Sequence, residues 1–197
     1  MDSLQIGIVS SIFTLGGLMG ALSAGPASSR YGRLLTMKCT TVFFVVGPIF
    51  ETLAPNIAVL AVGRFISGIG AGSSLVTVPL YISEVAPPAE RGFFGAFTQI
   101  MTNFGIFVTQ LLGYFFSHGQ YWRIVLAVAG VIGALQFVGL WAAVESPKYT
   151  AEHGKVNRAR KALRRIRGDK FDIEDEIRSW GVHDHEDEGM ILHAIII

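Results

Sequence analysis

The chain has 197 residues, of which 51% are hydrophobic and 16% charged, with a formal net charge of +1. So apolar a composition with almost no net charge points to a membrane protein and gives no argument for a nucleic-acid partner. The single cysteine, Cys39, excludes an internal disulfide framework.

The charges are unevenly placed, with 10 in residues 1–144 and 21 in residues 145–197, so an apolar body precedes a polar tail. Five apolar runs, at 4–25, 34–53, 57–82, 93–116 and 122–144, are long enough to span, given about 20 residues per crossing. The first run continues too long for a signal peptide, and Met1–Asp2 lacks a positive start, so no cleavable leader is expected. The expected fold is all-α: a polytopic membrane helix bundle over residues 1–146, short intracellular helices over 147–181, and a disordered or aberrant tail over 182–197. No nucleophile–base pair, phosphate loop or metal cluster is evident, so neither an enzyme nor a cofactor is expected.

The connectors alternate in charge. Loop 26–38 carries Arg30, Arg33 and Lys38, and the tail is rich in Lys and Arg, whereas the connectors 54–56 and 117–120 carry neither. The positive-inside bias puts loop 26–38, loop 83–92 and the tail in the cytoplasm and the N-terminus on the other side. An inserted glycosylation site near residue 118 is therefore expected to be modified and one near residue 160 is not; the reverse pattern would overturn this topology.

The first basic loop reads GALSAGPASSRYGRLLTMK. Taken by its residues alone, Arg30, Gly32 and Arg33 included, it reads as a positive-inside loop that only sets topology. The third run and its exit, GRFISGIGAGSSLVTVPLYISEVAPPAERG, hold Arg64 inside an apolar helix. A charge at mid-bilayer costs about 2.5–3.5 kcal/mol, so its default reading is functional. Gly68 and Gly72 form a G-x-x-x-G face on which helices approach closely. With Gly16 and Gly20 it offers a way to pack two copies together.

These two stretches resemble the sugar-porter family of the major facilitator superfamily. I-S-G-I-G-A-G, Y-I-S-E and Arg91 stand at the spacing of that family's second signature, with Glu84 as its acid. Gly20, Gly25, Arg30, Gly32 and Arg33 match the family's loop between its second and third helices, although Ser29 replaces the usual acid and Leu34 a basic residue. The resemblance implies helices two to six of a twelve-helix carrier, with the first helix and the C-terminal half supplied elsewhere. It also implies that the acid facing Arg64 belongs to that first helix.

In the fourth run, Gln99, Asn103, Ile106 and Gln110 recur at i, i+4, i+7 and i+11, one face of a helix. Amides donate and accept in fixed geometry, as sugar hydroxyls require; the alternative is hydrogen bonding between helices. The resemblance places Gln99 and Ile106 on substrate-lining positions, while Asn103 departs from the apolar residue common in hexose carriers. After the last run, V-E-S-P-K-Y resembles the family's motif following its sixth helix, through Glu145, Ser146, Pro147 and Tyr149, with Lys148 for arginine. Glu84, Arg91, Arg33 and Glu145 are expected to meet beneath the bundle as a conformational latch.

Beyond it, Val156, Ala159, Leu163 and Ile166 make one apolar stripe on a basic helix, followed by Ile173, Ile177 and Trp180. His183, His185, Glu186 and Asp187 fit no metal spacing and read as a solvated acidic tail. The function implied is transport of a sugar or related polyol across a membrane. The alternative is a truncated, non-transporting membrane segment or an assembly partner. The implied partners are a sugar, the lipid bilayer, and either the C-terminal half or another copy of the chain.

Overall fold

The computed structural model describes residues 3–116, 122–168, 173, 177 and 180. The chain divides into two compact units, residues 1–143 and residues 144–197.

The first unit is built from α1 (Ser3–Tyr31), α2 (Arg33–Thr52), α3 (Ile57–Val85), a 3-10 turn (Pro88–Glu90), α4 (Arg91–Phe116) and α5 (Trp122–Gly139). α1 packs along α3, α2 lies against α3 and α5, and α4 touches its neighbours only lightly. No residue of α4 is buried.

The packing is inverted relative to a protein in water. Leu4, Leu75, Val138 and Trp141 are each about two-thirds exposed or more (73%, 71%, 68% and 69%), while the buried side chains include Ser28, Thr36, Thr40, Thr41, Ser73 and Thr77. So large an apolar exterior marks contact with a membrane or another polypeptide. Between helices in lipid, small and weakly polar residues allow close backbone approach and satisfy their hydroxyls locally. Thr36, Thr40 and Thr77 each donate to the carbonyl four residues back, on Gly32, Thr36 and Ser73.

The glycines make the α1–α3 seam possible. A Cβ on Gly16 would fall on the Phe65 carbonyl oxygen, on Gly20 on that of Ile69, on Gly68 on that of Phe13, and on Gly72 on that of Gly17. Ser73 Oγ donates across the seam to Gly20 O at 3.1 Å. The two glycine pairs therefore pack against each other within one chain. The expectation that they could join two copies is corrected, because each is already occupied by the other.

The first connector also differs from expectation. Helix α1 runs on through Pro26 to Tyr31, and α2 begins at Arg33, so the expected loop 26–38 reduces to Gly32. Gly32 has φ 99, a conformation that side chains disfavour, and its N–H reaches Ser28 O at 3.1 Å. At the other end, Asn56 caps α3 by accepting from the Val59 N–H at 3.0 Å.

α1, α2 and α3 are long and apolar enough to cross a membrane. α4 is 26 residues long, but Gln99, Asn103, Gln110 and its threonines dilute its hydropathy. α5 ends at Gly139, short of the expected 144, and is the shorter apolar helix of the set.

The second unit contains α6 (Pro147–Glu152) and α7 (Val156–Arg167). Ser146 caps α6 by accepting from the Tyr149 N–H at 3.2 Å, with Pro147 in the first turn, where its missing N–H is harmless. Val156, Leu163, Ile173 and Ile177 form its core, with Trp180 packed against them and Ile166 half-buried. This is the apolar stripe expected from the spacing. The connector 117–120 and the tail with His183, His185, Glu186 and Asp187 lie outside the described residues.

Candidate functional site

Three groups of polar residues stand out in the first unit. The first sits at the end marked by Gly32. Because Gly32 turns the chain within one residue, Arg33 enters at the first position of α2 and points across to Glu84, the penultimate residue of α3. Arg33 Nε donates to Glu84 Oε2 at 2.9 Å and Nη2 to Oε1 at 2.8 Å, a two-pronged pair. Arg33 Nη1 adds a bond to Ser28 O at 3.3 Å. Both partners are buried, at 8% and 7% exposure, so each charge depends on the other.

The other residues expected in this cluster are placed differently. Arg30 is exposed, with its guanidinium 5.5 Å from the Tyr31 ring. Arg91 is exposed at the start of α4, and its guanidinium forms no ion pair among the described residues. Glu145 and Lys148 belong to the second unit. There Glu145 Oε1 accepts from the Ser146 N–H at 3.1 Å, and Lys148 Nζ lies 4.0 Å from Glu152 Oε1, one turn on. Of the four latch residues, the first unit brings together Arg33 and Glu84. Arg91 stays out because α3 ends at Val85 and the extended Ala86–Pro87 link and 3-10 turn carry it away from Glu84.

The second group surrounds Arg64 and contains a residue that pattern reading overlooked. Glu51, one residue from the end of α2, is 2% exposed. Ser67 Oγ donates to its Oε1 at 2.7 Å, and Arg64 Nε lies 3.5 Å from its Oε2. Gly63 and Gly47 leave the room: a Cβ on Gly63 would meet Glu51 Cγ, and one on Gly47 would meet Ser67. Within this chain, α2 thus supplies an acid beside Arg64. The available signal was an acid in the last turn of an apolar run, one short connector before a helix carrying a lone arginine.

The third group is the amide face of α4. Gln99, Asn103 and Ile106 are all exposed, Ile106 at 52%. Gln99 Nε2 donates to Asn103 Oδ1 at 3.4 Å. That bond leaves the Gln99 oxygen and the Asn103 amide hydrogens without a protein partner among the described residues. Exposed amides are costly in hydrocarbon, so this face requires water, a ligand or another polypeptide. Among the described residues no group of three or more His, Cys, Asp or Glu is arranged to hold a metal.

Comparison with known proteins identifies relatives of the chain and of its fold. The chain is 34% identical over 189 residues to the putative metabolite transport protein YwtG of Bacillus subtilis, covering 96% of this chain and 41% of that protein. It is 37% identical over 173 residues to sugar transporter ERD6-like 9 of Arabidopsis thaliana, covering 87% and 51%. The glucose transporter GlcP of Staphylococcus epidermidis is 33% identical over 178 residues, covering 90% and 40%. The chain thus spans between 40% and 51% of the length of these relatives. Its fold matches the partially occluded inward-open xylose transporter XylE of E. coli with a TM-score of 0.82 at 24% identity, over 90% of this chain and 46% of that one. A second XylE structure, described as a major facilitator superfamily protein, also gives 0.82 over 94% and 44%. The sugar (and other) transporter family model matches residues 1–189, and the chain is a multi-pass membrane protein that belongs to that family.

Proposed function

We propose that this chain forms one helical bundle of a carrier that moves a sugar or related polyol across a membrane by alternating access. In such a cycle two bundles rock about a site near the middle of the membrane. The observation that carries the reading is the exposed amide face of α4. Gln99 and Asn103 sit on a helix with no buried residue and hold unused donors and acceptors beside the apolar wall of Ile106. That combination suits a ring with hydroxyls at its edge and C–H groups on its faces. The opposite wall is assigned to a second bundle.

The Arg33–Glu84 pair fits the same cycle, as a contact made when the bundle is closed at that end and broken when it opens. Arg30, Gly32 and Arg91 are assigned supporting roles at that end, with Gly32 setting the turn; Glu145 and Lys148, in the second unit, are assigned a gating role of their own.

The test is Gln99→Ala in a full-length carrier containing this segment. Losing one hydrogen bond to a neutral partner is expected to weaken substrate binding by about two- to tenfold. Insertion and abundance should not change, because Gln99 has no buried contact to lose. Unchanged binding at normal abundance would assign Gln99 to helix association instead.

A further inference from the structure

The cations of α7 play no part in the groups described above. The helix spans 12 residues, VNRARKALRRIR, and no acid stands among them. Its two sides differ. Val156, Ala159, Ala162 and Leu163 are buried, and Val156 and Leu163 join Ile173 and Ile177 in the core of the second unit. Arg158, Lys161, Arg164 and Arg165 are exposed, and so is Asn157 among them. At about 3.6 residues per turn these five cover an arc of roughly 120°, away from the buried stripe. None of the four cations forms an ion pair with a described residue. The apolar stripe is used up by the unit's own core, so α7 has no apolar face left to sink into lipid as an amphipathic anchor does. Nor does the cationic arc hold an aliphatic or aromatic side chain of the kind that anchors the centre of a protein interface, where charge is depleted. A layer of phosphate and carboxylate headgroups matches such a face.

We propose that the face of α7 carrying Arg158, Lys161, Arg164 and Arg165 docks on anionic lipid of the cytoplasmic leaflet, holding the second unit to the headgroup layer by charge alone. The positive-inside pattern puts this part of the chain on the cytoplasmic side, where the membrane surface is negative. Residues 140–146 are all that join α5 to α6, so the chain itself keeps the second unit within reach of the bilayer. A tether of that length raises the effective concentration of headgroups, and a contact too weak for a free peptide suffices. Arg158, Lys161 and Arg165 stand at i, i+3 and i+7, along about 10 Å of helix, so one face can meet several headgroups at once. Three of the four cations are arginines, whose planar forks take two phosphate oxygens together. The face is the convex side of a helix and offers no cleft for a single phosphate, so the occupant is a surface. Each cation beside such a surface contributes about fivefold in affinity. The competing occupant is the chain's own acidic stretch, Asp172, Glu174, Asp175 and Glu176, which lies outside the described residues.

The experiment places a nitroxide within the cationic arc, through Asn157→Cys with Cys39→Ser, both at exposed positions. The full chain is reconstituted in nanodiscs of phosphatidylcholine alone or of phosphatidylcholine mixed with phosphatidylserine. Electron paramagnetic resonance then reads how often the label collides with an uncharged, water-soluble nickel chelate. Phosphatidylserine should lower the collision rate by about threefold or more. High salt should restore it, because the contact is purely electrostatic. Arg158→Gln together with Arg165→Gln should weaken docking by about twenty-five-fold and return the label to its accessibility in phosphatidylcholine. Equal accessibility in the two lipids would overturn the proposal. Release by inorganic phosphate, but not by chloride of equal ionic strength, would overturn it in favour of a discrete phosphate site. A label already shielded in phosphatidylcholine and freed by salt would assign the face to the chain's own acids instead. The lipid comparison removes no cation, so it stands even where the double variant fails to fold. None of these outcomes depends on Gln99, and the docking and carrier readings can fail separately.

Discussion

Gly72→Val is expected to drive α1 away from α3 and to abolish the stable bundle. A Cβ at this position falls on the backbone carbonyl of Gly17, with the Gly17 C and Cα close behind it. Overpacking that side chains can absorb costs about 1–3 kcal/mol. Here the obstacle is main chain, which has no rotamer to adopt, so the cost should reach or exceed the upper end of that range. Separation would also remove the Ser73–Gly20 hydrogen bond and open the matching approaches at Gly16, Gly20 and Gly68. In lipid there is little hydrophobic drive to bring the helices back together, because the tails are as apolar as the exposed leucines. The measurement is the thermal unfolding midpoint of detergent-solubilised protein, followed by circular dichroism and by the fraction remaining monodisperse. Gly7→Val is the control, since nothing lies within 4 Å of a Cβ there. If the two variants unfold alike, the α1–α3 seam is not what holds the bundle together.

This seam shows how far a pattern can be read. The G-x-x-x-G spacing at 68–72 and at 16–20 announces that some backbone comes close on those faces. It cannot say which helix, because the spacing specifies a smooth surface and not its complement. The i, i+4, i+7 recurrence of Gln99, Asn103 and Ile106 placed them on one face for the same geometric reason, and that face is exposed in the structure. The expected loop at 26–38 misread its breakers. Pro26 and the serines look like a loop by the rules for soluble proteins, yet helices in lipid tolerate proline because neighbouring groups and hydroxyls satisfy the freed backbone. Ser23 and Ser28 both donate to carbonyls three residues back, on Gly20 and Gly25. Glu51 was overlooked because an acid at the end of an apolar run ordinarily marks the way out to water. Its burial depends on the missing side chain of Gly63 and on Ser67, ten or more residues away across a turn. Tertiary contacts of that kind carry no local period.

Arg33→Ala is expected to be the most damaging single change at the Gly32 end. It leaves Glu84 as a buried carboxylate at 7% exposure with both of its guanidinium bonds gone. Breaking a buried pair by removing one partner costs about 3–5 kcal/mol, most of it from stranding the other charge. The Ser28 carbonyl loses a donor as well, which loosens the last turn of α1 beside Gly32. Glu84→Ala should be similarly harmful, since it strands the Arg33 guanidinium. The double variant Arg33→Ala with Glu84→Ala should then be less destabilised than the two single effects added together, because no charge is left alone. Arg33→Lys should fall between, keeping the charge and losing the two-pronged geometry. Arg91→Ala is the informative contrast: its guanidinium is exposed and unpaired among the described residues, so its effect should stay within about 0.5 kcal/mol. Thermal unfolding of the five variants in one lipid or detergent decides the matter. Strict additivity of Arg33→Ala and Glu84→Ala would mean that the pair contributes nothing as a pair. An Arg91→Ala effect as large as that of Arg33→Ala would mean that the latch is a wider charge network and not a single buried bond.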